Sequence, residues 1–119
     1  MGLIVQKYGG TSVKDVKHIQ NVAQRVANSR DRGNDVIVVL SAMAGVTDNL
    51  IKLAEEASES PDEREMDTLL ATGEQTTIAL LSIILNSMGY PAKSLLGFQA
   101  GITTNSSFSR GRIVNINGQ

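Results

Sequence analysis

The fold is decided at the start of the chain by the ten residues Leu3–Ser12, whose sequence is LIVQKYGGTS. The first part is a short apolar run that ends at Gly9 and Gly10, a pattern that predicts a strand leading into a tight turn. Ser12 is the predicted N-cap of the helix that follows, with Asp15 in its first turn. A strand, a glycine turn and a helix in direct succession favour a layered α/β fold.

The predicted first helix has one apolar face at helical spacing and a predicted end at Gly33. That face is formed by Val13, Val16, Ile19, Val22, Ala23, Val26 and Ala27. A second predicted strand, Asp35–Leu40, is apolar on both faces, which is typical of a central strand in a parallel sheet. A loop of small residues begins at Ser41. Thr47 or Asp48 is the predicted cap of a second helix that ends near residue 57.

A long helical region is predicted over Glu63–Met88, where Gly73 marks either a break or a point of close packing. Short strands are predicted at Ala92–Leu96 and Arg112–Ile116, with a glycine-bearing loop at Gly97–Gly101 between them. Strands that alternate with helices predict βαβ units and a parallel sheet. No internal domain boundary is visible, so we treat residues 1–119 as one unit.

Composition excludes several classes of function. The 119 residues are 41% hydrophobic and carry a net charge of -1, which argues for a globular domain and against a nucleic-acid partner. There is no cysteine and a single histidine, His18, so we predict no metal site. The apolar run Ala79–Leu85 is shorter than the ~20 residues of a membrane-spanning helix. No secretion signal is visible, so we expect a cytoplasmic protein without a membrane partner.

The loops after the strands are the expected places for chemistry, because ligands in open α/β sheets bind beyond the carboxyl ends of the strands. Gly9 and Gly10 could offer backbone N–H donors to an anion, and Lys7 could add a point charge for a phosphate. The alternative is an ordinary turn with a solvated lysine. The loop is neither a Walker A motif nor a GxGxxG fingerprint.

Two further candidates have equally plain alternatives. The loop Ser41–Asp48 could hold a carboxylate or a phosphate, or Thr47 could simply cap a helix. Glu74 lies in strongly apolar sequence, where a carboxylate is costly unless it is exposed or paired with a cation. It could bind a substrate ammonium group, or it could lie in the first turn of a helix that restarts after Gly73.

Four segments, in order along the chain, resemble the aspartate kinase family of the amino-acid kinase superfamily. They are Val5–Val13 (VQKYGGTSV), Val38–Asp48 (VVLSAMAGVTD), Asp67–Gln75 (DTLLATGEQ) and Gly97–Thr104 (GFQAGITT). One such motif would be weak, whereas four in order are specific. The resemblance implies the amino-acid kinase fold, an α/β three-layer sandwich with a mostly parallel sheet. It also implies transfer of a phosphoryl group from MgATP to the β-carboxylate of L-aspartate, the entry step to lysine, threonine and methionine synthesis.

The resemblance assigns roles to the residues around the first loop. Lys7 would be the catalytic residue that neutralises the transferring phosphate. Tyr8, Gly9 and Gly10 would complete the loop that binds the phosphates of ATP. MgATP would be a co-substrate, and no tightly bound cofactor is implied. Since phosphoryl transfer needs mainly positioning and charge stabilisation, a cationic cleft rich in hydrogen-bond donors is the expected setting.

The same resemblance assigns the acceptor side and the position of the chain in a larger enzyme. Ser41 and Thr47 would help to hold aspartate, and Glu74 would face its ammonium group. Family members continue past Gln119 into a nucleotide-binding half and ACT regulatory domains. We therefore expect residues 1–119 to be the N-terminal, aspartate-binding part of a kinase domain. In isolation it should be inactive, and it should assemble with the rest of the kinase or as a homo-oligomer.

Two alternatives remain open at this point. The chain could belong to another amino-acid kinase, such as one that acts on acetylglutamate or carbamate. It could also be a non-catalytic α/β module that serves in assembly.

Overall fold

The computed structural model describes residues 2–95 and the strand 112–116. The elements in chain order are strand β1 (Leu3–Tyr8), a 3₁₀ turn (Gly10–Val13), helix α1 (Val16–Asp31), β2 (Asp35–Leu40), α2 (Val46–Ala57), α3 (Glu63–Ser87), β3 (Lys93–Leu95) and β4 (Arg112–Ile116). The predicted alternation of strands and helices is confirmed. The predicted loop Gly97–Gly101 and the rest of the fourth motif lie outside the described residues.

The four strands form one sheet in the order β1-β2-β4-β3. β1 pairs with β2 in parallel, whereas β4 is antiparallel to both of its neighbours, β2 and β3. Three of the four strands therefore point in the same direction, and the predicted mostly parallel α/β class is confirmed. Lys7 pairs with Val39 and Tyr8 with Leu40, so β1 and β2 end at the same edge of the sheet.

The core lies between one face of the sheet and the helices α1 and α3. Its largest side chains are at most 3% exposed: Ile19, Val22, Val26, Val36, Val38, Leu40, Ile78, Leu81 and Leu85. Removing an aliphatic side chain of this size from water stabilises a fold by roughly 1.5–3 kcal/mol. The packing of α3 against α1 and the sheet thus contributes to stability, and it holds α3 in place.

The opposite face of the sheet is open at β1. Side chains alternate along a strand, so Leu3, Val5 and Lys7 share the face that points away from α1 and α3. Leu3 is 65% exposed and Val5 is 63% exposed. Within the described residues, the sheet and the helices on its other face therefore account for two layers of the sandwich.

Helix α1 begins later than the sequence predicts. Its N-cap is Asp15, whose carboxylate accepts a hydrogen bond from the His18 backbone N–H at 2.9 Å and lies 2.6 Å from His18 Nδ1. Hydrogen bonding from His18 lowers the pKa of the Asp15 carboxyl. The prediction that Ser12 caps this helix is wrong, because Ser12 lies in the 3₁₀ turn that buries Val13. The predicted end at Gly33 is confirmed by its φ of 90°.

Helix α2 also has an unexpected start. The cap is Gly45, whose φ of 80° lies in the left-handed region that favours glycine, and no side chain caps the helix. The prediction that Thr47 or Asp48 is the cap is therefore wrong, since both lie in the first turn. Asp48 there complements the positive end of the helix dipole.

Helix α3 runs without a break from Glu63 to Ser87. Asp62 caps it by accepting a hydrogen bond from the Glu65 backbone N–H at 2.9 Å. The possibility of a helix that restarts before Glu74 is wrong, and Gly73 is instead a point of close packing.

By length and composition alone, α3 could cross a membrane, since an 18-residue window has a mean hydropathy of 1.4. Judged from the shorter run Ala79–Leu85 alone, the sequence does not reveal this property of α3. Here α3 packs with Ile78, Leu81 and Leu85 in the core, as the central helix of a globular domain does.

Candidate active site at the carboxyl ends of β1 and β2

A cavity of about 570 Å³ opens beyond the edge of the sheet where β1 and β2 end. The turn after β1, the loop after β2, the first turn of α2 and the first half of α3 all contribute to its wall. The glycine and polar residues that line it include Gly10, Ser41, Thr47, Asp48, Asp67 and Glu74. The cavity lies where the sequence predicts a ligand site, beyond the carboxyl ends of the strands.

The loop that forms one wall is shaped by its backbone. Ser41 directly follows the last residue of β2 and is half-buried. The Val46 backbone N–H donates to the Met43 carbonyl at 3.2 Å, which closes a turn just before α2. Gly45 then reverses the chain through its positive φ, so that Thr47 lies at the cavity in the first turn of α2.

The facing wall comes from α3 and includes a buried carboxylate. Glu74 is 7% exposed and lines the cavity together with Asp67 and Leu70. These three residues lie on one face of the helix, because residues seven apart are about two turns apart. A buried carboxylate is costly in an apolar setting, and Glu74 lies instead at the wall of a cavity with polar lining.

Two acidic residues of the cavity have no role in the sequence-based assignments of site residues. Asp48 appears in the sequence analysis as a possible helix cap and as the last residue of the second motif, and Asp67 as the first residue of the third. The spacing of Asp67 and Glu74 on an unbroken helix is the signal that could have found Asp67, and a possible break at Gly73 obscures it.

The charge of the cavity differs from the expected cationic cleft. Asp48, Asp67 and Glu74 line it, and within the described part of the chain no lysine or arginine does. These walls therefore suit a positively charged group on the ligand. Cations for a phosphate or a carboxylate have to come from outside this lining.

Lys7 lies at the same edge of the sheet but does not line this cavity. It is the last residue but one of β1 and is exposed on the open face of the sheet. Its register with Val39 places it next to the strand that leads into the Ser41 loop. The structure thus brings Gly10, Ser41, Thr47 and Glu74 together and leaves Lys7 beside them.

The Tyr8 side chain faces the core. It is 9% exposed, and its hydroxyl donates to Gln6 Oε1 at 2.8 Å. Burial raises the pKa of Tyr8, an effect that the nearby Arg25 partly offsets. Only the backbone of Tyr8 is therefore placed to serve a ligand at the loop.

In the described part of the chain, neither backbone conformation nor packing requires glycine at positions 9 and 10. Gly9 has a φ of −86°, which any residue adopts, and Gly10 has no positive φ. No atom of residues 2–95 comes within 4 Å of a Cβ built on either glycine, apart from their chain neighbours. The space beside both backbones is open, as close approach of a ligand to their N–H groups would require.

Comparison with known proteins assigns the chain to a family. The sequence model of the amino acid kinase family matches residues 2–119. The chain belongs to the amino acid kinase family. An aspartokinase from Bacillus sp. (strain MGA3) is 58% identical over 116 residues, which cover 98% of this chain and 28% of that protein. The resemblance to aspartate kinases is thereby confirmed, and the chain spans less than a third of the length of that relative.

Solved structures place this family member in the same group. The crystal structure of aspartate kinase from Synechocystis superposes with a TM-score of 0.77 at 55% identity, covering 82% of this chain and 17% of that one. E. coli aspartokinase III in complex with aspartate and ADP superposes with a TM-score of 0.58 at 25% identity, covering 74% of this chain and 30% of that one.

A metal site is not evident in the described residues of this amino acid kinase. Among residues 2–95, no three acidic or histidine side chains are grouped so that they could hold a metal ion. Asp48, Asp67 and Glu74 share a cavity without forming such a group.

Proposed function

We propose that residues 1–119 form the acceptor-binding part of an aspartokinase, which transfers a phosphoryl group from MgATP to the β-carboxylate of L-aspartate. The observation that carries this proposal is the cavity that combines Ser41, Thr47 and Glu74 with the glycine loop after β1. The aspartokinases similar to this chain, and the solved relative that holds aspartate and ADP, support the same acceptor.

The charges of aspartate divide naturally between the walls of this cavity. At neutral pH aspartate has one ammonium group and two carboxylates. The ammonium group suits the acidic side of the cavity, where Glu74 can accept a charge-assisted hydrogen bond. The hydroxyls of Ser41 and Thr47 can donate to a carboxylate. In this scheme Glu74 recognises substrate and performs no proton transfer, because the acceptor carboxylate is already ionised.

The phosphate side of the reaction falls to the loop after β1. The open space at Gly9 and Gly10 allows a phosphate to approach their backbone N–H groups. Lys7, exposed at the same edge, supplies positive charge that the acidic cavity lacks. Phosphoryl transfer needs no covalent nucleophile, and its rate depends mainly on positioning and on stabilisation of this kind for the developing charge. Mg²⁺ would arrive with ATP as part of the co-substrate.

We further propose the cellular setting that the aspartokinase assignment implies. The protein acts in the cytoplasm, at the start of lysine, threonine and methionine synthesis. It works as a homo-oligomer or in assembly with the rest of its kinase, without a nucleic-acid or membrane partner.

The decisive experiment uses a full-length kinase that carries residues 1–119. With MgATP and hydroxylamine present, an aspartyl phosphate product is trapped as its hydroxamate. Acetylglutamate and carbamate replace aspartate as the acceptor in separate reactions. We expect product from aspartate alone. Turnover of another acceptor would assign a different amino acid kinase, and no turnover of any acceptor would favour a non-catalytic role in assembly.

A further inference from the structure

Gly73, in the middle of α3, packs closely against the loop after β2 and the start of α2, which form the other wall of the cavity. Gly73 is buried and directly precedes Glu74. A Cβ atom built on Gly73 would lie 2.9 Å from Val46 Cγ1, 3.2 Å from Ala42 Cβ and 3.5 Å from Leu50 Cδ1. Carbon atoms in favourable contact are about 3.5–4.0 Å apart. An alanine at this position would therefore be too close to two of the three.

The residues that crowd Gly73 are chain neighbours of the proposed aspartate ligands. Ala42 directly follows Ser41, and Val46 directly precedes Thr47. We propose that Gly73 is a positioning residue for the acceptor substrate. The absence of a side chain lets the loop from Ser41 to Thr47 lie close enough to α3 for both walls to hold one aspartate molecule. This inference rests on the function proposed above.

The two sides of this contact differ in how firmly they are held. On α3, Ile78, Leu81 and Leu85 are at most 2% exposed and lock the helix into the core. Of α2, all of which the structure describes, only Ala54 is buried. A methyl group added at Gly73 would therefore displace the loop and the start of α2, while α3 stays in place.

Side-chain rotation cannot relieve the clash. Val46 is β-branched and lies in the first turn of α2, where its χ1 angle is restricted. The Cβ atom of Ala42 is attached directly to the backbone and cannot rotate away. The backbone on both sides of the loop has to move by something on the order of 0.5 Å to restore ordinary contact. Ser41 and Thr47 would move with it, away from Glu74.

The test compares steady-state kinetics of variants of the full-length kinase. Because misplacing a reacting group by about 1 Å can cost about 100-fold, we expect Gly73→Ala to raise the KM for aspartate about 10-fold. The KM for ATP should stay within about twofold, since the loop after β1 is not involved. Adding Val46→Ala removes the shortest contact but leaves Ala42, so the double variant should recover part of the aspartate KM.

Ala54→Val is the matched control. It adds bulk where the far end of α2 faces Glu65, Met66 and Leu69 of α3, away from the cavity. We expect the KM for aspartate to stay at the wild-type value. If Gly73→Ala fails to fold, Val46→Ile adds a methyl group to the same contact from the other side and should raise the KM for aspartate.

Several outcomes would overturn the proposal. One is a wild-type aspartate KM in Gly73→Ala, or in Val46→Ile if the first variant does not fold. Another is a matched loss for aspartate and ATP that Val46→Ala does not relieve, since this would indicate a purely structural role. A wild-type kinase that does not phosphorylate aspartate would overturn the proposed function together with this inference. If the wild-type kinase phosphorylates aspartate and the variants have its KM for aspartate, only this inference is overturned.

Discussion

In the proposed function, Glu74 is the residue on which acceptor recognition should depend most directly. It is buried, lines the cavity and lies on a helix that the core holds rigid. A carboxylate at this wall is suited to a substrate ammonium group. The expected consequence of removing its charge is therefore a loss of binding for one substrate only.

We expect Glu74→Gln in the full-length kinase to weaken aspartate binding about 10- to 100-fold, because a charge-assisted hydrogen bond contributes about 1.5–3 kcal/mol. The KM for ATP should hardly change. Steady-state kinetics with each substrate varied in turn measures both. A parallel loss for the two substrates, accompanied by a lower melting temperature, would assign Glu74 to folding instead.

Lys7 should act on the phosphoryl group rather than on the acceptor. Lys7→Ala is expected to lower kcat by about 100-fold or more, since electrostatic stabilisation of developing charge contributes strongly to catalysis. Lys93, exposed on β3 and remote from the cavity lining, provides the matched control as Lys93→Ala. Turnover near the wild-type rate in Lys7→Ala would mean that the lysine is only a solvated strand end.

In the glycine loop after β1, a substitution should impair ATP binding without lowering stability. Gly10→Ala meets no described atom and has no positive φ to violate, so the melting temperature should be unchanged or slightly higher. If ATP phosphates approach the backbone there, the KM for ATP should rise by about 10-fold. The control Gly33→Ala, at a φ of 90°, should show the reverse pattern: lower stability and normal ATP binding.

At the scale of elements, the start of α1 makes folding sensitive to acid. The bond from His18 lowers the pKa of Asp15 in the folded chain. Ionised Asp15 therefore stabilises the fold above its unfolded pKa of about 3.9, and this contribution is lost as the pH falls through the lower folded value. Asp15→Asn keeps an N-cap acceptor and removes the charge.

Urea unfolding of the chain between pH 2.5 and pH 7 measures the effect. The stability gap between the wild type and Asp15→Asn should be present at pH 6 and should close below about pH 4. A gap that persists unchanged to pH 2.5 would show that the carboxylate charge does not contribute.

How far the elements follow from sequence depends on whether local pattern or tertiary contact decides them. The run DVIVVL gives the bounds of β2 correctly, and the helical region predicted over Glu63–Met88 matches α3 almost to the residue. The predicted caps of α1 and α2 are wrong for different reasons. Val13 is buried in the core, a tertiary effect that places Ser12 in the 3₁₀ turn, whereas α2 begins at the positive φ of Gly45, which is not among the caps predicted from the sequence. Glycine at position 73 is ambiguous in sequence, since a break and a close contact both favour it.

The candidate site follows the same division. Ser41 and Thr47 can be placed at this edge of the sheet because ligands bind beyond the carboxyl ends of the strands, whereas only the family resemblance assigns Glu74 to the same site. The acidic character of the cavity cannot be predicted in this way, since it depends on α3 lying across that edge. The antiparallel insertion of β4 between β2 and β3 is equally invisible to local pattern.

At the scale of the whole molecule, the open face of the sheet should govern solution behaviour. β1 is an edge strand among the described strands, and it exposes Leu3 and Val5 side by side on one face. Exposed apolar edge strands promote association between chains. We expect the 119-residue chain to self-associate as its concentration rises.

Val5→Lys should reduce this self-association, because it places a charge in the middle of the apolar strand face. Leu53→Lys is the control, since Leu53 is 55% exposed but lies on α2. Sedimentation velocity over a concentration series compares the three proteins. Equal association of the wild type and Val5→Lys would locate the contact elsewhere.

The place of β4 in the sheet also has a consequence for the order of events on the ribosome. Residues 36–40 of β2 pair with β1 on one side, but their partner on the other side and the partner of residues 93–95 of β3 lie in β4, which is translated later. At about 5–20 residues per second, the ribosome adds that strand about 1–4 s after β3. During this interval β1, β2 and all three helical segments have been translated, but the backbone of β2 still lacks its partner on one side. Until β4 is translated, the unpaired side of β2 is therefore open to pairing with the wrong strand.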